Sequence, residues 1–174
     1  MPGVKKIDRM HRLKHIAMVL LILFSCVGCD QATKVIAKEY LPRNEIMSFV
    51  GDTVRLQYIE NKGGFLSMGD SLPKKTRGLI FTVAAGTIVV LMFCYLLVAS
   101  SLTPTITIAL SLICGGGFGN LIDRILYGGY VIDFLNVGVG GLRTGIFNVA
   151  DVALMAGAFL ILLGSTQHGR NNGV

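Results

Sequence analysis

Three aspartates and two asparagines lie within or beside apolar segments in the second half of the chain. The aspartates are Asp123, Asp133 and Asp151, and Asn120 and Asn148 each precede an aspartate by three residues. An ionised carboxylate is costly in hydrocarbon, so acidic residues at membrane depth indicate a functional site. On a helix, this spacing places each asparagine and its aspartate on one face.

The chemistry available to such carboxylates is acid–base catalysis or ion transport. Two close carboxylates cannot both ionise easily, so they share one proton. The ionised member can take a proton from a water that attacks a carbonyl carbon, while the protonated member polarises the carbonyl oxygen. The histidines lie in the terminal segments, and no Gly-x-Ser-x-Gly or Ser-Lys arrangement offers another mechanism. An aspartyl hydrolase, a carboxylate-dependent membrane carrier or channel, and a structural membrane protein all remain open.

The segments that must position these carboxylates are long and apolar. Of the 174 residues 52% are apolar, and no charged residue occurs from Gly78 to Ile122. Because a membrane helix needs about 20 residues, that stretch predicts two helices joined by a turn. We expect an all-α polytopic membrane protein that forms a single membrane domain over residues 1–174. Its four transmembrane helices are predicted at about 13–40, 77–99, 105–126 and 147–164.

The first helix could be mistaken for a leader peptide. A basic tail precedes an apolar run, and Val27-Gly28-Cys29 resembles a bacterial lipoprotein cleavage site. One long helix is the preferred interpretation, because the helical pattern continues past Cys29 and meets no breaker before Pro42. Asp30 and Lys34 lie four residues apart on this helix and can form an ion pair.

The polar segment of about residues 42–76 predicts a small extramembrane β-sheet between the first two helices. Val54, Leu56 and Tyr58 alternate with polar residues, which is typical of a half-buried strand. Glycines suggest a hairpin near residues 61–65. The connection over residues 135–146 is also rich in glycine and is predicted as a loop.

Charge and cysteine content exclude other classes of function. The net charge of +6 is spread out, and no cluster of basic residues alternates with aromatic ones, so nucleic-acid binding has no support. The three histidines lie in the terminal segments, so a zinc site lacks ligands. The cysteines lie in apolar runs and are predicted to be buried, unreactive thiols. They are Cys26, Cys29, Cys94 and Cys114.

Five motifs follow one another along the chain. They are Asp30–Lys34, Asn61–Phe65, Gly115–Arg124, Val131–Phe134 and Phe147–Asp151. In this order they resemble the motifs of the lipoprotein signal peptidases (signal peptidase II), which are intramembrane aspartyl proteases of bacteria. The second motif has one residue fewer than usual, and the proline that usually precedes the last motif is missing.

The resemblance implies that Asp133 and Asp151 form the catalytic pair and that Asp123 and Arg124 support it. The other residues that would line or brace the site are Asp30, Lys34, Asn61, Gly63, Asn120, Asn148 and Ala150. The residue pattern alone does not separate Asp123 from Asp133 as the partner of Asp151.

The resemblance also implies a location and a substrate. The chain would span the bacterial cytoplasmic (inner) membrane with cytoplasmic termini and an active site toward the outer leaflet, although charge counting alone leaves the orientation open. The substrates would be prolipoproteins that carry diacylglycerol on a cysteine, cleaved just before that cysteine. Membrane lipid and cyclic peptide inhibitors of the globomycin type are the other implied partners. The resemblance implies no metal or cofactor.

Overall fold

The described residues form four long helices and a four-stranded antiparallel sheet. This computed structural model describes residues 2–64, 68–99 and 102–171, with the backbone alone for 2–9 and 165–171. The helices are α1 (Pro2–Tyr40), α2 (Lys74–Val98), α3 (Pro104–Leu126) and α4 (Val149–Asn171). The strands are β1 (Met47–Phe49), β2 (Val54–Asn61), β3 (Val131–Val139) and β4 (Leu142–Arg143).

Helix α1 confirms the single long helix but begins earlier than predicted. It runs without interruption from Pro2 through Cys29 to Tyr40, whereas the sequence predicted a start near residue 13. Beyond Gly3 the basic tail contains neither glycine nor proline, and proline is well tolerated in the first helical turn. The tail therefore extends the helix beyond the apolar part.

Helices α2 and α3 lie within three residues of their predicted bounds. Helix α2 includes a wider π-helical segment, Gly78–Ala84, near its start. Helix α3 begins with Pro104, and the hydroxyl oxygen of Thr103 accepts a hydrogen bond from the backbone N–H of Ile106 at 3.3 Å. This is an N-cap followed by proline, which fixes the turn between the two helices.

The helices are apolar outside and polar inside, as expected for a protein surrounded by lipid. Leu21, Ile88 and Phe159 are each at least 60% exposed, whereas Asp30 and Asp123 are fully buried. Three helical stretches, Met10–Tyr40, Lys74–Val98 and Pro104–Leu126, are long and apolar enough to span a membrane. The apolar part of α4, Val149–Gly164, is shorter. The chain is therefore a multi-pass membrane protein.

Helix α3 lies at the centre, and its glycines allow the other helices to approach it closely. A Cβ on Gly115 would lie 2.6 Å from Cys26 of α1, and one on Gly117 would lie 2.6 Å from Val89 of α2. A Cβ on Gly116 would collide with the backbone carbonyl of Ala150 in α4. Each glycine therefore faces a different neighbour, which is the role of small residues in membrane helix packing.

The sheet has the order β1-β2-β3-β4, and the predictions for it were partly wrong. The hairpin lies at residues 50–53, between β1 and β2. At the predicted position, β2 ends at Asn61, the next described strand is β3, and Phe65 lies outside the described residues. Strand β2 pairs instead with β3, whose residues 135–139 were predicted as a loop. Half of the sheet thus comes from the connection between α3 and α4, because long-range pairing outweighs the low strand propensity of glycine.

The prediction of four buried cysteines was also wrong. Cys114 is fully buried, but Cys29 and Cys94 are exposed on the helices. An exposed position on a membrane helix faces lipid, which accepts a thiol as readily as the protein core does.

We predict that Gly116→Ala destabilises the helix bundle. The added methyl group would meet the Ala150 carbonyl oxygen, which belongs to backbone and cannot move aside cheaply. Overpacking of this kind costs about 1–3 kcal/mol, which exceeds the gain of about 1 kcal/mol in helix propensity. Thermal unfolding in detergent should show a midpoint several degrees below wild type.

The matched control is Gly28→Ala in α1, where no heavy atom lies within 4 Å of the added Cβ. Its unfolding midpoint should equal or exceed that of wild type. Equal midpoints for the two variants would show that close packing at Gly116 does not stabilise the bundle.

Candidate active site

The start of α4 is held by a reciprocal pair of hydrogen bonds between Asn148 and Asp151. Asn148 Oδ1 accepts from the backbone N–H of Asp151 at 2.9 Å, and the backbone N–H of Asn148 donates to Asp151 Oδ2 at 3.2 Å. This is the geometry of a capping box, with asparagine as N-cap and aspartate three residues later. The three-residue spacing noted in the sequence is therefore a helix-start signal that also fixes the direction of the Asp151 carboxylate.

A short backbone bridge places Asp133 of β3 beside this helix start. Phe147 and Leu135 exchange two backbone hydrogen bonds of 2.8 Å. Asn148, the next residue, then donates from Nδ2 to Asp133 Oδ1 at 2.6 Å. One asparagine therefore contacts both carboxylates, through its side-chain amide at Asp133 and through its backbone at Asp151.

The second oxygen of Asp133 is bound from strand β2. Asn61 Nδ2 donates to Asp133 Oδ2 at 2.8 Å, because β2 ends opposite the first residues of β3. Only 2% of Asp133 is exposed. Burial is the main reason that the pKa of Asp133 is raised well above its ordinary value, to about 7, and the nearby Asp151 carboxylate acts in the same direction.

Behind the two carboxylates, Lys34 of α1 lies in a fully paired site. Its Nζ contacts Asp30 Oδ2 at 2.8 Å, Asp123 Oδ2 at 3.0 Å and Asn120 Oδ1 at 2.9 Å. These three acceptors match the three protons of an ammonium group, as burial of a charge requires. Asn120 in turn donates from Nδ2 to Asp151 Oδ1 at 3.0 Å, so the Lys34 site adjoins the candidate pair.

The aspartates that pair with Lys34 also bind the backbone beside the candidate pair. Asp30 Oδ1 accepts from the N–H of Ala150, the residue before Asp151, at 2.9 Å. Asp123 Oδ2 accepts from the N–H of Ile132, the residue before Asp133, at 3.0 Å. Asp123 is therefore occupied by structural contacts, which favours Asp133 over Asp123 as the partner of Asp151.

Gln31 is a polar residue of the site that the sequence analysis did not single out. Its Nε2 donates to Asp123 Oδ1 at 2.9 Å and to the Gly119 carbonyl oxygen at 3.1 Å. A third contact reaches Asp30 Oδ2 at 3.3 Å. An amide beside an aspartate on an apolar helix was the available signal, because both groups need buried partners.

Arg124 forms the edge of the site on the side of α2. It donates to the carbonyl oxygens of Asn120 at 3.2 Å and Gly63 at 3.0 Å, and its guanidinium lies 5.9 Å from the centre of the Phe81 ring. Its Nε is buried and has no hydrogen-bond partner within the part of the chain that the structure describes. Arg124 thus keeps one buried N–H donor, at Nε, that no described residue accepts from.

The structure brings together all the site residues named from the sequence. Gly63 and Ala150 contribute backbone groups, and the others contribute side chains. Phe65, the last residue of the Asn61 motif, lies outside the described residues. Among the described side chains, no three His, Cys, Asp or Glu are grouped so that they could hold a metal.

Sequence comparisons place the chain among peptidases. A family model described as "Signal peptidase (SPase) II" matches residues 22–167. A lipoprotein signal peptidase of Borrelia hermsii is 34% identical over 149 residues, which cover 83% of this chain and 86% of the relative. A lipoprotein signal peptidase of Treponema denticola is 30% identical over 167 residues, which cover 91% and 96%.

Two solved structures of bacterial membrane enzymes have a similar fold. One has a TM-score of 0.77 at 26% identity and covers 90% of this chain and 92% of its own. The other has a TM-score of 0.74 at 25% identity, with coverage of 86% and 92%. Together with the family model and the relatives at 30% identity or more, these findings show that the chain belongs to the signal peptidase II family.

Proposed function

We propose that this chain is an intramembrane aspartic endopeptidase that removes signal peptides from diacylglyceryl-modified prolipoproteins. Asp133 and Asp151 form its catalytic pair. The observation that carries this assignment is the contact of one asparagine, Asn148, with both carboxylates. Two acidic groups held so close in a buried site share one proton, which is the arrangement that peptide hydrolysis by carboxylates needs.

The reaction uses the pair as one acid–base unit. The ionised carboxylate takes a proton from water while the water oxygen attacks the scissile carbonyl carbon, and the protonated carboxylate donates its hydrogen bond to the carbonyl oxygen. Collapse of the tetrahedral intermediate breaks the C–N bond. The amine nitrogen of the lipidated cysteine receives a proton from the pair, and the signal peptide leaves with a new carboxylate. The proton belongs to the pair, so neither residue is a fixed acid or base.

The surrounding amides hold this pair in position. Asn61 and Asn148 bind the two oxygens of Asp133, and Asn120 binds Asp151, so neither carboxylate can rotate without losing a hydrogen bond. Lys34 supplies a fixed positive charge behind the pair through Asn120. Arg124 Nε is a donor suited to a carbonyl oxygen of the bound peptide.

We also infer the arrangement in the membrane. Helix α4 continues beyond its apolar part to Asn171, so it is long enough to be the fourth transmembrane helix. The sheet and the site lie at one end of the bundle, and the basic N-terminal segment of α1 lies at the other. Because charge counting leaves the orientation open, we base it on the family assignment, with which the basic N-terminal segment agrees. The termini then lie in the cytoplasm of a bacterial inner membrane and the site faces the outer leaflet, where a diacylglyceryl chain could remain in lipid.

The family assignment favours peptide cleavage over the carrier or channel alternative. Cyclic peptide inhibitors of the globomycin type belong to the same proposal, because a peptide ring that fills the site would block access to Asp133 and Asp151. Their binding and that of the substrate would compete for the same amides.

We predict that Asp133→Asn and Asp151→Asn each abolish cleavage. Asparagine keeps the size of the side chain but cannot exchange a proton, so kcat should fall by at least about 10³-fold, toward the upper range for acid–base catalysis. The assay is cleavage of a purified diacylglyceryl-modified prolipoprotein in lipid, with mass spectrometry of the product to locate the cut before the lipidated cysteine.

Asp52→Asn serves as the control, because Asp52 is an exposed carboxylate paired with Arg55 on the same sheet. Its activity should stay within about threefold of wild type, since surface ion pairs contribute little. Asp123→Asn should lose thermal stability first, because it removes a buried partner of Lys34. An inactive but stable Asp123→Asn beside an active Asp133→Asn would reassign the pair.

We predict that kcat/KM falls as the pH rises above the pKa of Asp133, which is about 7. Below that pH the pair holds its shared proton. Above it both carboxylates ionise, the acid is lost, and the rate should drop about tenfold per pH unit. The measurement is a pH profile of kcat/KM with a thermal unfolding midpoint recorded at each pH. A flat profile up to about pH 9 in a folded enzyme would contradict the shared-proton mechanism.

A further inference from the structure

A second cavity lies at the opposite end of the bundle from the proposed active site. It has a volume of about 650 Å³, within the range of small-ligand sites, and lies between residues 11–18 of α1, the end of α2 and the start of α3. The distance along α1 from His15, which lines the cavity, to Asp30 of the proposed active site is about 22 Å, at 1.5 Å per residue. The cavity is therefore separate from the catalytic machinery by most of the width of a bilayer.

The polar side of the cavity is basic. Helix α1 contributes His11, Arg12, Lys14 and His15, and none of the lining residues is acidic. The N-terminus of α3, at Pro104, also opens toward this cavity, and a helix N-terminus carries a partial positive charge. A group of negative charge would therefore be favoured here by two sources that lie on different helices.

The basic wall is fixed to the rest of the bundle. His15 Nε2 lies 2.8 Å from the carbonyl oxygen of Leu96, one of the last carbonyl groups of α2. A carbonyl oxygen only accepts, so Nε2 must carry a proton in this contact. The bond fixes α1 at His15 against the end of α2, so the cavity is part of the packed bundle.

The other side of the cavity is apolar. It is formed by Met18, Leu97, Val98, Ala99 and Leu102, next to the part of α1 and α2 that faces lipid, and Thr107 of α3 also lines the cavity. A ligand with a phosphate group and apolar chains matches both sides at once. Basic pockets between membrane helices have this combination when they bind anionic lipid headgroups.

We propose that this cavity binds the phosphate headgroup of an anionic phospholipid, with Arg12 and Lys14 as its main contacts. The lipid would be drawn from the leaflet opposite the active site, and its acyl chains would lie along Leu97 and Val98. The site is independent of the proposed peptidase activity, and its occupancy would stabilise the contact between α1, α2 and α3.

The test is native mass spectrometry of the delipidated full-length protein in detergent. It is titrated with phosphatidylglycerol, with phosphatidylcholine of the same acyl chains, and with glycerol 1-phosphate. For the first lipid that binds, the affinity of wild type for phosphatidylglycerol should be about tenfold higher than for phosphatidylcholine. Each basic contact near an anionic headgroup adds severalfold in affinity. The double variant Arg12→Gln/Lys14→Gln should lose this preference.

The control is Arg43→Gln/Lys75→Gln, which removes two exposed basic groups that do not line the cavity. It should bind phosphatidylglycerol as wild type does. Equal losses in the two double variants would overturn the proposal, because they would reflect net charge alone. Glycerol 1-phosphate binding as tight as that of the lipid would also overturn it, in favour of a site for free phosphate.

Circular dichroism of each variant checks that the helices are intact. Should the double variant fail to fold, the wild-type titration at rising salt concentration decides the matter. A preference for phosphatidylglycerol that weakens with salt supports a site built on charge. The absence of any preference over phosphatidylcholine in wild type would rule the site out.

Discussion

Everything near the proposed active site depends on one buried ammonium group. Lys34 is 2% exposed in a region of the bundle that excludes water, and a charge there is tolerable only if every proton finds an acceptor. Asp30, Asp123 and Asn120 supply the three acceptors and come from two helices. Removing any one would leave a buried charge with a missing partner. The need to pair Lys34 therefore fixes how α1 and α3 face each other.

The two carboxylates that neutralise Lys34 also bind the segments that contain Asp133 and Asp151. Each uses a remaining contact on a backbone N–H: Asp30 at Ala150 and Asp123 at Ile132. Those two residues directly precede Asp151 and Asp133. A shift of Lys34 would therefore move both members of the pair, although Lys34 contacts neither of them directly. This reach requires the close approach of helices that Gly116 and Gly119 permit, since a Cβ at Gly119 would lie 2.5 Å from Asp30.

The sequence predicted the helices and a set of candidate site residues that the structure brings together, but not the route by which the site is assembled. Continuous apolar runs identify membrane helices locally. A charged residue inside such a run indicates a functional site, because burying its charge costs free energy. The pairing of β2 with β3 joins segments on either side of two helices, so no local pattern announces it. Residues 135–139 therefore looked like a loop. Gln31 was missed for a related reason, because its two shortest hydrogen bonds reach another helix, α3.

The position of the pair at the junction of sheet and helices follows from two opposed requirements. Hydrolysis needs water, whereas a shared proton needs a buried site in which two carboxylates resist full ionisation. A strand surrounded by hydrocarbon would leave its backbone N–H and C=O groups without hydrogen-bond partners, because lipid supplies none. The bridge between Leu135 and Phe147 satisfies that backbone and places Asp133 outside the helices but still 2% exposed. Asp151 reaches the same point from the first turn of α4, where its carboxylate also caps the helix. One residue thus serves both the start of a helix and the proposed chemistry, so the hydrogen bonds that cap α4 also orient the Asp151 carboxylate.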